Sequence, residues 1–346
     1  MFLKLLLVFV PIAIVFDQLE ANPLTVFAVS CLAIVPLADL LAKSTEQLSE
    51  FLGPTLGGLL NATLGNAPEL IIGGLALSKG LTEVVKSSIV GSILMNLLLL
   101  LGIAMFAGGL RRDRQTFNSS AAGISAALLT LASIGLVVPA LVHIASREAE
   151  RELSLEISLV LFLMYLLSLV FTLVTHRQLF AAPQPAAAGE PAEKKTGLAR
   201  VLVVLSVTAV LLAVISEIMT GSLDPAVKAL GLSETFAGVI VLGSLGNVAQ
   251  LIAAVRFARA DNMDLAMGTT VGAATQAALA VAPFLVFAGR LIGQPMDLLF
   301  SPFEVVALAL AVLVTGQFTR DGESNWMEGA MLIGVYVMFA IGFYFS

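Results

Sequence analysis

Apolar stretches follow one another along almost the whole chain, and this limits what it can fold into. Hydropathy divides the sequence into spans near residues 2–19, 22–43, 53–78, 82–108, 118–142, 153–176, 198–220, 234–258, 264–289, 300–316 and 325–345, with short polar breaks between them. A helix needs about 20 mostly apolar residues to cross a bilayer, and backbone in hydrocarbon must satisfy its own hydrogen bonds. The chain is therefore predicted to be an all-α integral membrane protein with about eleven transmembrane helices. Only 12% of its 346 residues are charged, against about a quarter in soluble domains, and no segment is left over for a sizeable soluble domain. Residues 2–16, with Lys4 ahead of an apolar run, also fit a secretory signal, but no clear small-x-small cleavage site follows. We read them as a first membrane helix.

The connection from Arg177 to Arg200 is rich in Ala, Pro and Gly and reads as a mobile linker, at residues 177–197, between two halves. Twelve Lys and Arg residues, among them Lys4, Lys43, Arg111, Arg177, Arg256 and Arg320, fall on one side of this topology, and six, including Lys79, Lys86 and Arg290, fall on the other. The positive-inside rule then places the N-terminus and linker in the cytoplasm, and an odd number of spans puts the C-terminus outside. The short loops suit a prokaryotic inner membrane. A net charge of −6 argues against a nucleic-acid partner; membrane lipid and cations are the expected partners, with a homo-oligomer left open. The single cysteine, Cys31, excludes an intrachain disulfide and a cysteine metal site. No covalent cofactor is expected.

The halves repeat one another. Thr63-Leu64-Gly65-Asn66-Ala67-Pro68-Glu69-Leu70-Ile71 aligns without gaps on Ser244-Leu245-Gly246-Asn247-Val248-Ala249-Gln250-Leu251-Ile252, an offset of 181 (244 minus 63). The register continues downstream, with Glu83 on Asp264, Ser88 on Thr269 and Gly91 on Gly272. The motifs lie five spans apart, so the two copies cross in opposite directions, an inverted plan that recurs in secondary transporters with substrate held near the midplane.

Polar side chains inside these spans mark the expected site. Asn66, Glu69, Asn96, Asn247, Gln250 and Gln276 must face the bundle interior or a wet cavity. Gly65 and Gly246 permit close approach or local unwinding, and Pro68 removes a backbone donor. Glu69, the five amide oxygens, the hydroxyls of Thr63 and Ser244, and bared carbonyls make an oxygen-rich set suited to Ca²⁺, Na⁺ or Mn²⁺. His143 and His176 sit at span ends and read as solvated. A carboxylate in such a cavity takes either a cation or a proton, and release of the two on opposite faces is antiport; Glu69 is the residue expected to carry that exchange. For the small and amide residues taken singly, helix packing is an equally good explanation.

At these residues the sequence resembles the calcium/cation antiporter superfamily, and within it the cation/proton exchanger branch. The resemblance runs through Ser30–Ala38, Asn61–Ile71, Gly91–Leu99 and Met263–Gln276. It implies one N-terminal helix (residues 1–20) followed by two inverted five-helix repeats (21–176 and 198–346), exchanging Ca²⁺ for H⁺. By position, Glu69 would be the cation and proton ligand of the first repeat, Asn66 and Asn247 would flank the cation, and Asn96 and Gln276 would be polar neighbours. The second repeat departs from the pattern, because Gln250 and Leu251 stand where the family has glutamate followed by histidine. An amide coordinates through its oxygen but does not take up a proton. Asp39, Glu46 and Glu217 are candidate accessory acids, with Glu217 favoured because Ser216-Glu217 also resembles the family; their plain alternative is solvation at the interface.

The expected function is a secondary active transporter exchanging a cation, Ca²⁺ foremost, for H⁺ by alternating access. The alternatives are an Na⁺-coupled or monovalent cation/H⁺ exchanger, which a single carboxylate suits in charge, and a transport-dead cation-binding relative. An enzyme is excluded, since no nucleophile, base or phosphate-binding set appears. Glu190 and Glu193 alone do not make a Ca²⁺-sensing domain of the linker.

Overall fold

The computed structural model describes residues 2–142, 146–180 and 197–346. His143 and residues 181–196, the greater part of the expected linker, lie outside the described residues. The described chain is helical apart from its connections and one short sheet. Its main helices are α1 (Leu6–Gln18), α2 (Pro23–Leu64), α3 (Ala67–Ser78), α4 (Thr82–Gly109), α5 (Ser119–Leu141), α6 (Arg147–Thr175) and α7 (Leu198–Leu230) in the first part of the chain. They are followed by α8 (Glu234–Leu245), α9 (Val248–Arg259), α10 (Met263–Leu291), α11 (Pro302–Phe318) and α12 (Trp326–Phe345). Among the described residues seven helices are long and apolar enough to cross a membrane, or eight if the bent pair α8 and α9 counts as one span.

Helix α2 merges two of the expected spans. Its 42 residues would extend about 63 Å as a straight helix, roughly twice the hydrocarbon thickness. Gly53, at φ +76° and ψ 177°, breaks it in a conformation open to glycine. A Cβ on Gly57 would collide with the carbonyl of Ser49, so the chain folds back on itself at this kink. Asn22 starts α2 as N-cap, its Oδ1 accepting from the Leu24 amide at 2.9 Å, with Pro23 in the first turn.

Helices α4 and α10 form the centre. In their most apolar windows 83% and 67% of residues are buried, against 28% or less in α5, α6, α7 and α12, which face lipid. Both central helices carry a π-turn at corresponding depth, Met95–Leu100 in α4 and Ala277–Val281 in α10. Such turns widen the helix and re-aim its side chains. A two-stranded sheet, β1 (Gln115–Thr116) with β2 (Glu323–Ser324), ties the connection after α4 to the one after α11.

Residues 292–301 are extended and enter the protein between α10 and α11, with Met296, Leu298 and Phe300 buried in alternation. Lys86, counted above among the loop cations, is instead buried and holds this segment. Its Nζ lies 2.9 Å from Asp297 Oδ1, 2.8 Å from the Leu299 carbonyl and 2.8 Å from Glu83 Oε1. Ser87 Oγ donates to the buried Glu304 at 2.6 Å, and Ser154 Oγ accepts from the Leu298 amide at 3.0 Å.

Glycine sets how closely α4 meets α8. A Cβ on Gly91 would strike the Val239 carbonyl, and one on Gly243 would stand 2.8 Å from the Gly91 backbone. Gly91→Val is therefore expected to destabilise by about 1–3 kcal/mol or more, the range for overpacking. Thermal unfolding in detergent checks this, with Gly123→Ala, where nothing lies within 4 Å of the added carbon, as the unaffected control.

Candidate functional site

Both polar motifs coincide with breaks in helices. The first helical path is interrupted at Gly65-Asn66 between α2 and α3, and the second at Gly246-Asn247, where α8 and α9 bend by 57°. Asn66 and Asn247 occupy the N-cap positions of α3 and α9, yet neither side chain caps its own helix. Both are spent across the molecule. Asn66 Nδ2 donates to Gln276 Oε1 on α10 at 2.6 Å. Asn247 Oδ1 accepts from Asn96 Nδ2 on α4 at 2.9 Å, while its own Nδ2 donates to Ser92 Oγ at 3.0 Å and to the Gly243 carbonyl at 2.6 Å. Each broken span of one half is thus joined by an amide pair to the central helix of the other.

Pairing consumes the amide hydrogens and leaves oxygens over. Among the described residues Glu69 Oε2, Asn96 Oδ1 and Gln250 Oε1 are buried atoms without a hydrogen-bond partner. A buried acceptor left this way is unfavourable, and three hard oxygen acceptors in this layer match the donor chemistry of Ca²⁺, Mn²⁺ or Na⁺. Among the described residues no group of three or more His, Cys, Asp or Glu could hold a metal ion, so any cation here is held mainly by amide and carbonyl oxygens.

Two cavities flank the layer. One, of about 20 Å³, is lined by Glu69, Ser88, Ser92, Leu242, Gly243 and Gly246 with apolar neighbours from α3 and α10. That is room for one water-sized occupant. The other, of about 450 Å³, is lined by Gln250, Asn61, Gly65, Asn66, Thr269, Ala273 and Gln276, together with Asp39, Lys43, Glu46 and Arg256. These linings correspond at the offset of 181: Glu69 with Gln250, Ser88 with Thr269, Ser92 with Ala273, Leu242 with Asn61 and Gly246 with Gly65. The narrow cavity lies toward the Lys79 end of α3 and the wide one toward the Arg259 end of α9.

Glu69 and Gln250 are both third residues of their half-helices, where free backbone amides favour a carboxylate. Glu69 packs tightly: a Cβ on Gly246 would stand 2.6 Å from its Oε1. Gln250 has no such contact with Gly65.

The other sequence candidates divide. Thr63 and Ser244 donate to carbonyls in their own helices, Leu59 at 2.8 Å and Val241 at 2.8 Å, and line neither cavity. Asp39 is buried and paired with Lys43 at 2.6 Å, and with the exposed Glu46 it reaches the wide cavity. Glu217, the favoured accessory acid, does not. It sits on an exposed face of α7, where its backbone carbonyl accepts from Lys79 Nζ at 2.8 Å. His176 is exposed and stacks on Phe171 with ring centroids 4.0 Å apart.

Two contributors escaped the sequence reading. Ser92 lies four residues before Asn96 on α4, a spacing that brings both to one helix face and offered a signal. Tyr165 Oη donates at 3.0 Å to the Ala62 carbonyl, one turn before the Asn66 break. A lone tyrosine amid apolar residues of α6 gave only its hydroxyl as a hint. Asn247→Ala should leave Asn96 and Ser92 short of a partner, and a loss of about 1–3 kcal/mol per orphaned buried group is expected. Thermal unfolding of the purified variant in detergent measures it.

The sodium/calcium exchanger protein family matches residues 22–174 and 200–345. A Ca(2+)/H(+) antiporter of Synechocystis sp. is 42% identical over 98% of this chain and 96% of its own length. The Ca(2+)/H(+) antiporter ChaA of Bacillus subtilis is 39% identical over 97% of this chain and 96% of its own. Among solved structures, native YfkE superposes with a TM-score of 0.87 at 34% identity, covering 100% of both chains.

Proposed function

This chain belongs to the sodium/calcium exchanger protein family, and we propose that it is a secondary transporter exchanging Ca²⁺ for H⁺ across a membrane, with Glu69 as the shared ligand. The observation that carries this reading is the amide-linked layer at the two helix breaks, with Glu69 Oε2, Asn96 Oδ1 and Gln250 Oε1 unpartnered between two unequal cavities. Likeness at about 40% identity to full-length Ca(2+)/H(+) antiporters supports the choice of ions. Cargo and proton then compete for one carboxylate, so loading of one requires departure of the other.

We read the chain as eleven spans, an N-terminal helix and two inverted five-helix repeats at 21–176 and 198–346, joined by the 177–197 connection. The correspondence of the two cavity linings at a single offset supports that plan. In it, Asn66, Asn247, Asn96 and Gln276 orient the layer, Gln250 offers a neutral oxygen, and Thr63 and Ser244 stand on the adjoining turns. With the N-terminus in the cytoplasm of a prokaryotic inner membrane, the wide cavity faces the cytoplasm and the narrow one is closed. Membrane lipid is the only other partner the reading needs.

Closure on the narrow side rests on the Gly91 and Gly243 contact. Gly272, the counterpart of Gly91, meets nothing within 4 Å, and in alternating access it closes against residues 54–64 when the wide cavity shuts. Gly272→Val is expected to leave unfolding temperature within a few degrees of the parent protein, because open space surrounds it. Transport should fall at least about tenfold, because overpacking opposes the shut state. Equal losses in stability and transport would show a merely structural role.

The deciding assay uses liposomes holding the protein and an internal pH dye, with Ca²⁺, Mn²⁺, Na⁺ or K⁺ added outside. Ca²⁺ should move protons, and Glu69→Gln should reduce that movement to the level of protein-free liposomes. Proton movement driven by Na⁺ or K⁺ but not by Ca²⁺ would replace the divalent reading by a monovalent one, which the neutral Gln250 suits in charge. No movement with any cation would overturn exchange.

A further inference from the structure

The repeat correspondence sets one acid, Glu69, against one amide, Gln250. A divalent cation held by one carboxylate and neutral oxygens keeps a net positive charge in a region of low dielectric, where uncompensated charge is strongly disfavoured. We propose that Asp39 is the second acid of the cation path, a ligand that receives Ca²⁺ in the wide cavity and stands in charge where position 250 does not. The proposal rests on the Ca²⁺/H⁺ reading and assigns a residue to it.

Three features separate Asp39 from an ordinary interfacial acid. It is only 8% exposed, within the apolar stretch Cys31–Ala42 of helix α2. It lines the same 450 Å³ cavity as Gln250, Asn66 and Gln276. Gln250 offers that region an oxygen with no partner in the protein. Glu46 also lines the cavity but is exposed, so its charge is screened by water.

The pairing of Asp39 supports the role. Its Oδ2 lies 2.6 Å from Lys43 Nζ, one turn along the same helix. The two side chains differ in setting: that of Lys43 is 59% exposed and that of Asp39 is 11% exposed. Lys43 can swing its ammonium into water without backbone movement, whereas the carboxylate remains facing the cavity. The ammonium thus holds the position that an arriving cation takes over. Arg256 lines the same space but is exposed, so its charge, like that of Glu46, is screened by water.

Calorimetric titration of Ca²⁺ into the detergent-solubilised full chain tests this. Asp39→Asn should weaken Ca²⁺ affinity about fivefold or more, as removal of one charge from a water-filled cavity implies. Lys43→Gln should strengthen affinity, because it frees the carboxylate of a competing ammonium. Adding Gln250→Glu to Asp39→Asn should bring affinity back to within about twofold of the parent protein. Equal weakening by Asp39→Asn and Lys43→Gln would reduce the pair to a structural ion pair and overturn the proposal, as would an unchanged affinity in Asp39→Asn. Ca²⁺ transport without proton movement would sink the exchange reading alone and leave the assignment of Asp39 standing.

Discussion

Backbone broken inside a membrane must find hydrogen-bond partners that lipid cannot supply, and the centre of this protein is organised around that constraint. The breaks at Gly65-Asn66 and Gly246-Asn247 free amides and carbonyls at mid-span. A soluble helix would cap such an end with its own asparagine. Here each asparagine reaches the central helix of the opposite half, so local capping is exchanged for long-range attachment. Other groups take over part of the local task, as Tyr165 does at the Ala62 carbonyl. The two halves therefore cannot move apart freely at the layer.

The unequal cavities follow from how glycine is used on each side of this layer. Where α4 crosses α8, two glycines bring backbone onto backbone, and only about 20 Å³ remains beside Glu69. At the corresponding crossing Gly272 and Gly268 of α10 face open space, and about 450 Å³ lies beside Gln250. Composition contributes to the difference, since at the offset of 181 Gly91 has its counterpart in Gly272 whereas Gly243 falls on Ala62 and Ser92 on Ala273. The buried Lys86 anchors residues 292–301 through Asp297 and the Leu299 carbonyl, with the exposed Glu83 beside it.

Much of this was legible in the sequence because hydrophobic length and intramembrane polarity are coarse, strongly constrained signals. The all-helical, apolar character of the chain could be named from hydropathy, and the Gly-Asn pairs of the aligned motifs mark the positions at which the helices break. The break at Gly53 falls where hydropathy ends the span 22–43 and begins the span 53–78, and Gly53-Pro54 is a turn signal in its own right. Glu217 is favoured in the sequence for its neighbour Ser216, whereas helix phase, which spacing alone does not fix here, leaves Glu217 exposed on α7 and Asp39 buried on α2. The partners of Lys86 were not legible at all. Asp297 and Leu299 lie more than two hundred residues away, on a segment with no regular structure to give them a phase.

Charge is the last link between this architecture and ion choice. Amide and carbonyl oxygens can replace much of a cation's hydration shell at little conformational expense, because the crossing pairs already hold them in place. They do not neutralise it. A monovalent ion beside Glu69 would be balanced in charge by that residue alone, and a divalent ion would not. The narrow cavity admits no second acid, since Ser88, Ser92 and glycine backbone fill the rest of its polar lining. On the Ca²⁺/H⁺ reading proposed above, compensation for a divalent ion falls to the wide side, where ionisable groups of both signs stand, and discrimination between valences would then depend on the cavity through which the cation arrives as well as on the layer that holds it.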